Sequence, residues 1–325
     1  MKDTGENLLH GVLEKNRRAI ARAISRVENE HADARQLLHA LFGHTGRAYR
    51  VGITGPPGAG KSTLTNRLAG LYRRQDRSVG IIAVDPTSPF TGGALLGDRV
   101  RMTDVEMDEG VFIRSMASRG SLGGLSRKAK EAADVLDAAG FDIVLMETVG
   151  VGQSELEVAG ACDTTVVVLV PESGDGIQAM KAGLMEIADL FVMNKADRPG
   201  AEQAVQSIRM VLGFRSPSMP GSSRTPDSQV DVLMTVASEG KGLEALVEAL
   251  DRRYARMERS GELLARREKR LEARVRELVE EQLKSEFWNE MRMAVLRKGL
   301  DQVVSRQQTP YELAARLLEH FRSKS

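Results

Sequence analysis

The residues with the most evident chemistry form one glycine-rich stretch early in the chain, GPPGAGKST. Gly55, Gly60, Lys61 and Ser62 have the GxxxxGK[ST] spacing of a phosphate-binding loop, between an apolar run and a helical pattern. In such a loop the backbone N–H groups point at an anion, the lysine adds positive charge, and the serine hydroxyl is a Mg²⁺ ligand. The stretch therefore predicts a nucleoside-triphosphate site made by Gly55, Pro56, Pro57, Gly58, Ala59, Gly60, Lys61, Ser62 and Thr63.

A second motif indicates which base this site binds. The apolar run LFVMN ends in Asn194-Lys195-Ala196-Asp197, which is the NKxD arrangement. A carboxylate at Asp197 accepts both the N1–H and the N2 amine of guanine, whereas adenine offers neither donor and would leave the acid unsatisfied. The motif therefore predicts guanine specificity. The candidates for the remaining base contact, through backbone N–H groups at the end of the next apolar run, are Val236, Ala237 and Ser238.

Three acids are candidates for holding a cation beside the phosphates. Asp85 ends the run VGIIAV, Asp98 lies in a glycine-rich segment, and Glu147 ends the run DIVLM. Together with Ser62 they can supply oxygens to a hard octahedral cation, directly or through water, and this predicts a Mg²⁺ site. Asp85 could instead cap the turn that follows it, and Asp98 could be a solvated loop acid. Gly150 can offer its N–H to a γ-phosphate and register its loss.

Seven short apolar runs position these residues. They are separated by helix-length segments and read YRVGIT, VGIIAV, VFIRS, DIVLME, TTVVVLV, LFVMN and DVLMTV. Nearly continuous apolar runs fit strands of a parallel sheet that crossover helices cover on both faces. The pattern predicts an α/β fold with a doubly wound, mainly parallel sheet.

Helical patterns flank these runs on both sides. Residues 5–45 have helical apolar spacing, and the chain from about residue 242 is helical and highly charged, with an apolar stripe on EKRLEARVRELVEEQL. Thr309 and Pro310 predict the N-cap and first turn of a last helix. A charged helix with so narrow an apolar stripe fits either a solvated face or a dimer or partner arm. We expect an N-terminal helical segment, a P-loop GTPase domain and a C-terminal helical arm over residues 1–46, 47–250 and 251–325.

Composition excludes several classes of protein. The formal net charge of +1 over 325 residues argues against binding through a basic nucleic-acid surface. The single cysteine excludes intramolecular disulfides and cysteine-cluster metal sites. No apolar run approaches the roughly 20 residues that span a bilayer, and MKDTGENLLHGVLEK lacks a hydrophobic signal core. We expect a cytoplasmic protein with no nucleic-acid or membrane partner.

The motifs, taken with several longer stretches, resemble one known family. The additional stretches are VDPTSPFTGGALLGDRVRM, RSMASRGSLGGLS, METVGVGQSE and GDGIQAMKAGLMEIAD, and the similarity covers roughly residues 50–200. They resemble the MeaB/MMAA/ArgK family, the G-protein chaperones of adenosylcobalamin-dependent acyl-CoA mutases. The resemblance implies a SIMIBI-class P-loop core and a C-terminal arm that builds a homodimer. It also implies Mg²⁺-dependent GTP hydrolysis coupled to cofactor loading and to protection or reactivation of a mutase such as methylmalonyl-CoA mutase. No directly bound cobalamin is expected.

The resemblance also assigns roles to individual positions. It makes Ser62, Asp85, Asp98 and Glu147 the Mg²⁺ shell. Residues 85–101 become the first switch, residues 147–155 the second, and residues 173–188 an additional switch that reads the mutase. Some residues are expected to take part in catalysis by contacting the γ-phosphate, the attacking water or the partner. They are Lys61, Glu147, Gly150, Gln153 and Lys181.

Three other functions share parts of this pattern. Nickel-insertion GTPases of hydrogenase or urease maturation have the same motif order but would be favoured by a His/Cys cluster. The histidines here are instead scattered, at His10, His31, His39, His44 and His320. A nucleotide-dependent kinase of a transport protein is less compatible with NKxD. The third alternative is a scaffold that binds GTP without hydrolysing it.

Overall fold

The computed structural model describes residues 5–85, 105, 107–117, 127–148, 157–171, 183–214 and 230–322. Within these residues one sheet has seven strands, which are β1 (Tyr49–Thr54), β2 (Val79–Asp85), β3 (Val111–Ala117), β4 (Ile143–Glu147), β5 (Thr164–Leu169), β6 (Leu190–Met193) and β7 (Asp231–Met234). Their order is β3-β2-β4-β1-β5-β6-β7, and every neighbouring pair is parallel. Each strand coincides with one of the seven apolar runs, so the predicted doubly wound α/β fold is confirmed.

Eleven helices accompany the sheet in the described part of the chain. They are α1 (Gly5–Leu13), α2 (Arg17–Glu28), α3 (Ala34–Phe42), α4 (Lys61–Arg74), α5 (Arg127–Ala138), α6 (Leu184–Ile187), α7 (Ala201–Phe214), α8 (Leu243–Ser260), α9 (Glu262–Phe287), α10 (Glu290–Val304) and α11 (Pro310–Arg322). None of the helices in the described residues is long and apolar enough to cross a membrane.

Helices cover both faces of the sheet, which explains the nearly unbroken apolar runs. Residues of β1, β4 and β5 are buried throughout their length. On one face the N-terminal helices α1–α3 and α5 pack against alternate strand residues such as Val144 and Met146. On the other face α4 and α8 pack against the intervening residues, such as Ile143 and Leu145. Successive side chains of a strand point to opposite faces of the sheet, and here both faces are buried. Apolar residues are therefore needed at every position, and the runs do not alternate between apolar and polar residues as in a half-exposed sheet.

A buried acid sets where the central strand β1 begins. Asp137, in the last turn of α5, accepts hydrogen bonds from the N–H groups of Gly46, Arg47 and Ala48 at 2.9 to 3.0 Å. The same carboxylate is 2.8 Å from the guanidinium of Arg50. Burial opposes the charge of Arg50, but neighbouring acids, Asp137 among them, raise its pKa overall. These contacts anchor the amino end of the strand that carries the glycine-rich loop at its other end.

The chain divides into two compact units, residues 1–263 and residues 264–325. In the second unit, Arg292 lies over the rings of Phe287 and Phe321, at 5.3 and 4.8 Å from their centroids. Its guanidinium also donates to the carbonyl of Glu286 at the end of α9. These contacts hold together the end of α9 and the helices α10 and α11. The functional division at residues 46 and 250 stays a prediction.

The last helix begins as its sequence predicts. The Thr309 N–H donates to Glu312 Oε2 at 2.8 Å, and the Glu312 N–H donates back to Thr309 Oγ1 at 3.2 Å. This reciprocal pair is a capping box, and Pro310 occupies the first helical position, where no N–H is needed. The predicted N-cap and first-turn proline are confirmed.

Candidate nucleotide-binding site

The candidate site residues that the structure describes lie at one edge of the sheet. The carboxyl ends of β1, β4, β5 and β6 are neighbours there, because all strands are parallel. The glycine-rich loop follows β1, Glu147 ends β4, and Asn194 directly follows β6. The chain from β1 crosses to β2 on one side, while β5, β6 and β7 extend on the other. Ligands of open α/β sheets bind where the winding direction reverses in this way.

Two glycines of the loop have backbone conformations that other residues adopt only with strain. Gly55 has φ 138°, and a Cβ there would lie 2.0 Å from the carbonyl oxygen of Val168. Gly60 has φ 88°, and a Cβ would lie 2.4 Å from Nδ2 of Asn194. Neither site has room for a side chain, so the loop packs closely on β5 and on the NKxD turn. Helix α4 begins at the next residue, with its N-terminus toward the loop.

Lys61 lies inside the loop. Its side chain is buried, and Nζ donates to the carbonyl oxygens of Gly55 and Pro56 at 2.9 and 3.0 Å. A positive charge therefore lies beside the positive end of the α4 dipole. The positive charge of Lys61 and the positive end of the helix dipole together attract an anion such as a triphosphate.

Ser62 and Glu147 come together directly. Ser62 Oγ donates to Glu147 Oε1 at 2.6 Å, and Glu147 is buried at the end of β4. Strand register sets this meeting, since Ile53 and Glu147 are paired across β1 and β4. A hydroxyl and a carboxylate oxygen at hydrogen-bonding distance are hard ligands, which fit Mg²⁺ and do not favour a soft metal.

The other predicted cation ligands are described only in part. Asp85 is the last residue of β2, where its backbone pairs with Ala117 of β3. Asp98 lies outside the described residues. Ser62 and Glu147 alone therefore support the fit of a cation. Three more of the predicted site residues also lie outside the described residues: Gly150, Gln153 and Lys181.

Asn194 joins the phosphate-binding loop to the turn after β7. Its Nδ2 donates to the carbonyl of Ala59 at 2.8 Å. Its Oδ1 accepts from Thr235 Oγ1 at 3.1 Å and from the N–H of Ala237 at 3.0 Å. Three hydrogen bonds fix the amide group in the protein interior. The first residue of the NKxD motif thus holds the glycine-rich loop and the turn after β7 at a set separation.

The remaining NKxD residues form a partly exposed turn next to residues 236–238. Lys195 has φ 55°, and the N–H of Ala196 donates to the carbonyl of Thr235 at 3.0 Å. Asp197 is exposed. Nearby, Lys241 forms a 2.6 Å ion pair with Glu239. The pKa of Lys241 is raised first by its hydrogen bond to Glu239 and also by the charge of Asp197.

The turn after β7 is held by its own backbone and by α4. The N–H of Val236 donates to the carbonyl of Lys241 at 3.0 Å, in an antiparallel bridge. The carbonyl of Ser238 accepts from Arg67 of α4 at 3.3 Å. The backbone of residues 236–238 is therefore ordered next to the NKxD turn, as a site for base contacts requires.

Three buried threonines at strand ends escaped the sequence reasoning. Thr235 bonds to Asn194, and Thr148 Oγ1 donates to Thr54 Oγ1 at 2.9 Å. Their one sequence signal is a hydroxyl at the end of an otherwise apolar run. That signal is weak, because threonine is common in strands for its branched shape alone.

Comparisons with known proteins agree with this geometry. A family model described as "Methylmalonyl Co-A mutase-associated GTPase MeaB" matches residues 20–292. A protein of Pyrococcus abyssi, whose name assigns it to the GTPases, is 43% identical over 316 residues, which are 97% of this chain and 96% of that protein. The Mus musculus protein named methylmalonic aciduria type A homolog, mitochondrial, is 33% identical over 296 residues, 87% of this chain and 71% of its own length. A crystal structure described as LAO/AO transport system kinase has a TM-score of 0.75 at 29% identity and covers 99% of both chains.

Proposed function

Because this chain belongs to the MeaB family of methylmalonyl-CoA mutase-associated GTPases, we propose that its GTPase activity requires Mg²⁺ and serves an adenosylcobalamin-dependent acyl-CoA mutase. In this proposal GTP hydrolysis gates cobalamin loading and protects or reactivates the mutase, of which methylmalonyl-CoA mutase is the first candidate. The observation that carries the proposed site is the hydrogen bond from Ser62 to Glu147. The glycine-rich loop beside it is held by Asn194, the first residue of the NKxD motif.

The phosphate-binding loop supplies positioning and charge, which are what phosphoryl transfer needs most. We propose that Lys61 exchanges its two loop carbonyls for oxygens of the β- and γ-phosphates, and that N–H groups of residues 55–63 bind the same phosphates. Ser62 and Glu147, with Asp85 and Asp98, would hold Mg²⁺. When bound, Mg²⁺ would neutralise charge that develops between the β- and γ-phosphates.

Guanine specificity rests on Asp197. Its exposed carboxylate lies on the turn that Asn194 anchors, so it is available to the N1–H and N2 amine of guanine. Lys195 would lie along the purine face, and the N–H groups of Ala237 and Ser238 would complete the base contact. We assign water placement and γ-phosphate sensing to Gly150 and Gln153, and the response to the mutase to Lys181.

The proposed dimer surface is argued from exposed apolar side chains of the C-terminal helices. Helix α9 has a solvent-exposed apolar stripe made by Leu271, Val275, Leu278, Val279 and Leu283. A stripe of this size on a highly charged helix gains stability when a second helix covers it. We propose a homodimer through the C-terminal helices, with the mutase bound elsewhere and cobalamin held by the mutase.

A test of the proposed function measures phosphate release from GTP with Mg²⁺ present or chelated, using wild-type protein and Lys61→Ala. We expect Mg²⁺-dependent release in the wild type, loss of at least about a hundredfold in the variant, and faster release when a purified acyl-CoA mutase is added. Equal rates with and without the mutase would contradict the chaperone role. Equal rates with and without Mg²⁺ would contradict the metal role.

The same reaction with γ-labelled GTP tests the kinase alternative, which the crystal structure described as a transport-system kinase keeps relevant. Label recovered as inorganic phosphate supports hydrolysis. Label recovered on a protein acceptor would replace the proposed function with a kinase activity.

A further inference from the structure

Two buried hydroxyl groups connect the residue before the phosphate-binding loop with the residue after Glu147, the acid that contacts Ser62. Thr54 is the last residue of β1, and Thr148 directly follows β4. Thr148 Oγ1 donates to Thr54 Oγ1 at 2.9 Å, an ordinary hydrogen-bond length. The two residues are 0% and 2% exposed, so water does not compete for this bond.

Strand register brings the two threonines together. Ile53 of β1 is paired with Glu147 of β4, so the next residue of each strand is at the same level of the sheet. The N–H of Thr148 also donates to the carbonyl of Ile53 at 3.0 Å. Thr148 is therefore bonded to the end of β1 at two points, one through its backbone and one through its side chain.

A valine would fill either position without a polar group. Both threonines end apolar strands, and a hydroxyl taken out of water costs stability unless it finds a partner. Each hydroxyl has the other as a hydrogen-bond partner, and the branched side chains restrict χ1, which fixes the direction of the bond. Packing alone does not require two hydroxyls here, which directs attention to what lies next to them.

The residue next to this bond is Glu147. Its Oε1 accepts from Ser62 Oγ at 2.6 Å, and Glu147 is the last residue of β4, directly before the doubly bonded Thr148. We propose that Thr54 and Thr148 are positioning residues, whose hydroxyl pair holds Glu147 against Ser62 in the geometry that a divalent cation requires. This inference rests on the proposed function, in which Ser62 and Glu147 bind that cation. It assigns a role to two residues outside the proposed cation and nucleotide ligands.

The test measures divalent-cation binding directly, in addition to activity. The full-length protein is loaded with GDP and titrated with Mn²⁺, and bound Mn²⁺ is followed by electron paramagnetic resonance. The variants are Thr148→Val, Thr54→Val, the double variant and Thr148→Ser. The matched control is Thr164→Val. Thr164 is 0% exposed and its hydroxyl accepts from Tyr49 Oη at 2.7 Å, but it is the first residue of β5, where it is paired with Val51 in the middle of β1.

We expect each valine variant to weaken Mn²⁺ binding about fivefold, the ratio that corresponds to one hydrogen bond of ordinary strength. The double variant should show the same loss as either single variant, because one bond is removed once. Thr148→Ser should stay within about twofold of the wild type because it keeps the hydroxyl. Thr164→Val should lower the thermal midpoint and leave Mn²⁺ binding unchanged.

The outcomes separate this inference from the function beneath it. If wild-type protein with GDP binds no Mn²⁺, the metal role of the proposed function fails and this inference falls with it. If the wild type binds Mn²⁺ and Thr148→Val binds it equally well, the inference alone is overturned. An equal loss in Thr164→Val would also overturn it, since general destabilisation would then explain the effect. Should Thr148→Val not fold, Thr54→Val decides; failure of both to fold would show a role in folding only and reject the proposal.

Discussion

Replacing Asn194 by alanine should separate ligand-loop order from general stability. The side chain makes three hydrogen bonds, to Ala59, Thr235 and Ala237, at 2.8, 3.1 and 3.0 Å. At about 1 kcal/mol net for each, their loss lowers the free energy of unfolding by about 3 kcal/mol. Only the bonds to Ala59 and Ala237 join the two loops of the proposed nucleotide site. Losing that order costs about 2 kcal/mol of binding, or about thirtyfold in Kd for GDP.

A second variant with a similar loss of stability supplies the control. Arg253 pairs with the buried Asp189 at 2.6 Å, and Asp189 directly precedes β6, at the sheet edge away from the glycine-rich loop. Arg253→Met removes the charge that compensates Asp189, and breaking such a buried pair costs about 3 kcal/mol or more. Urea unfolding measures stability, and titration with a fluorescent GDP analogue measures affinity.

We expect both variants to lose stability and only Asn194→Ala to lose affinity. Thr235→Val removes one of the three bonds but neither of the two that join these loops, so it should lose about 1 kcal/mol of stability and keep an affinity near that of the wild type. If Asn194→Ala binds GDP as tightly as the wild type, Asn194 does not order the site. An equal loss of affinity in Arg253→Met would show that stability alone sets binding.

Three more predictions follow. Asp197→Asn should change the preferred base from guanine to xanthine, because an amide can donate to the xanthine O2 where the carboxylate accepted from guanine; unchanged selectivity in a GTP/XTP competition would remove this assignment. Burial opposes ionisation of Asp142, but hydrogen bonds from the hydroxyl and N–H of Ser78 and the charge of Lys15 hold its pKa below the usual value. The stability that the Asp142 carboxylate adds is present above the unfolded pKa of about 3.9 and is lost as pH falls through the lower folded pKa. In urea, the free energy of unfolding of Asp142→Asn should therefore be lower than that of the wild type at neutral pH and equal to it in strong acid. Leu278→Glu should dissociate the proposed dimer in size-exclusion chromatography with light scattering, whereas Glu280→Gln, on the other side of α9, should not.

The fold was predictable because its signals are local. Each strand is a short apolar run, and each run is marked off by a glycine, an acid or a helical pattern, as with Gly55 after β1 and Glu147 at the end of β4. Burial on both faces of a parallel sheet removes polar alternation, so the run itself identifies the strand. The order of the strands across the sheet carries no such local mark.

The candidate site could be predicted as a set of motifs and not as a set of contacts. Spacing made Lys61, Ser62 and the NKxD residues candidates, because backbone turns and ligand chemistry demand certain residue types at certain intervals. Thr54, Thr148 and Thr235 were missed, since a hydroxyl at a strand end is an ordinary occurrence until its neighbour is known. Asn194 was assigned to the nucleotide, while the structure gives its amide group three partners within the protein.

The amino-acid sequence alone determined the elements, the glycine-rich loop and the NKxD motif, because each depends on residues that are close together in the chain. Tertiary structure decided which of those elements touch. Asn194 reaches Ala59 across 135 positions and Thr148 reaches Thr54 across 94. Such contacts depend on strand order and on register between strands, which arise only when both faces of the sheet are packed. Spacing along the chain therefore identified the chemical groups, and the packed sheet placed them at hydrogen-bonding distance from one another.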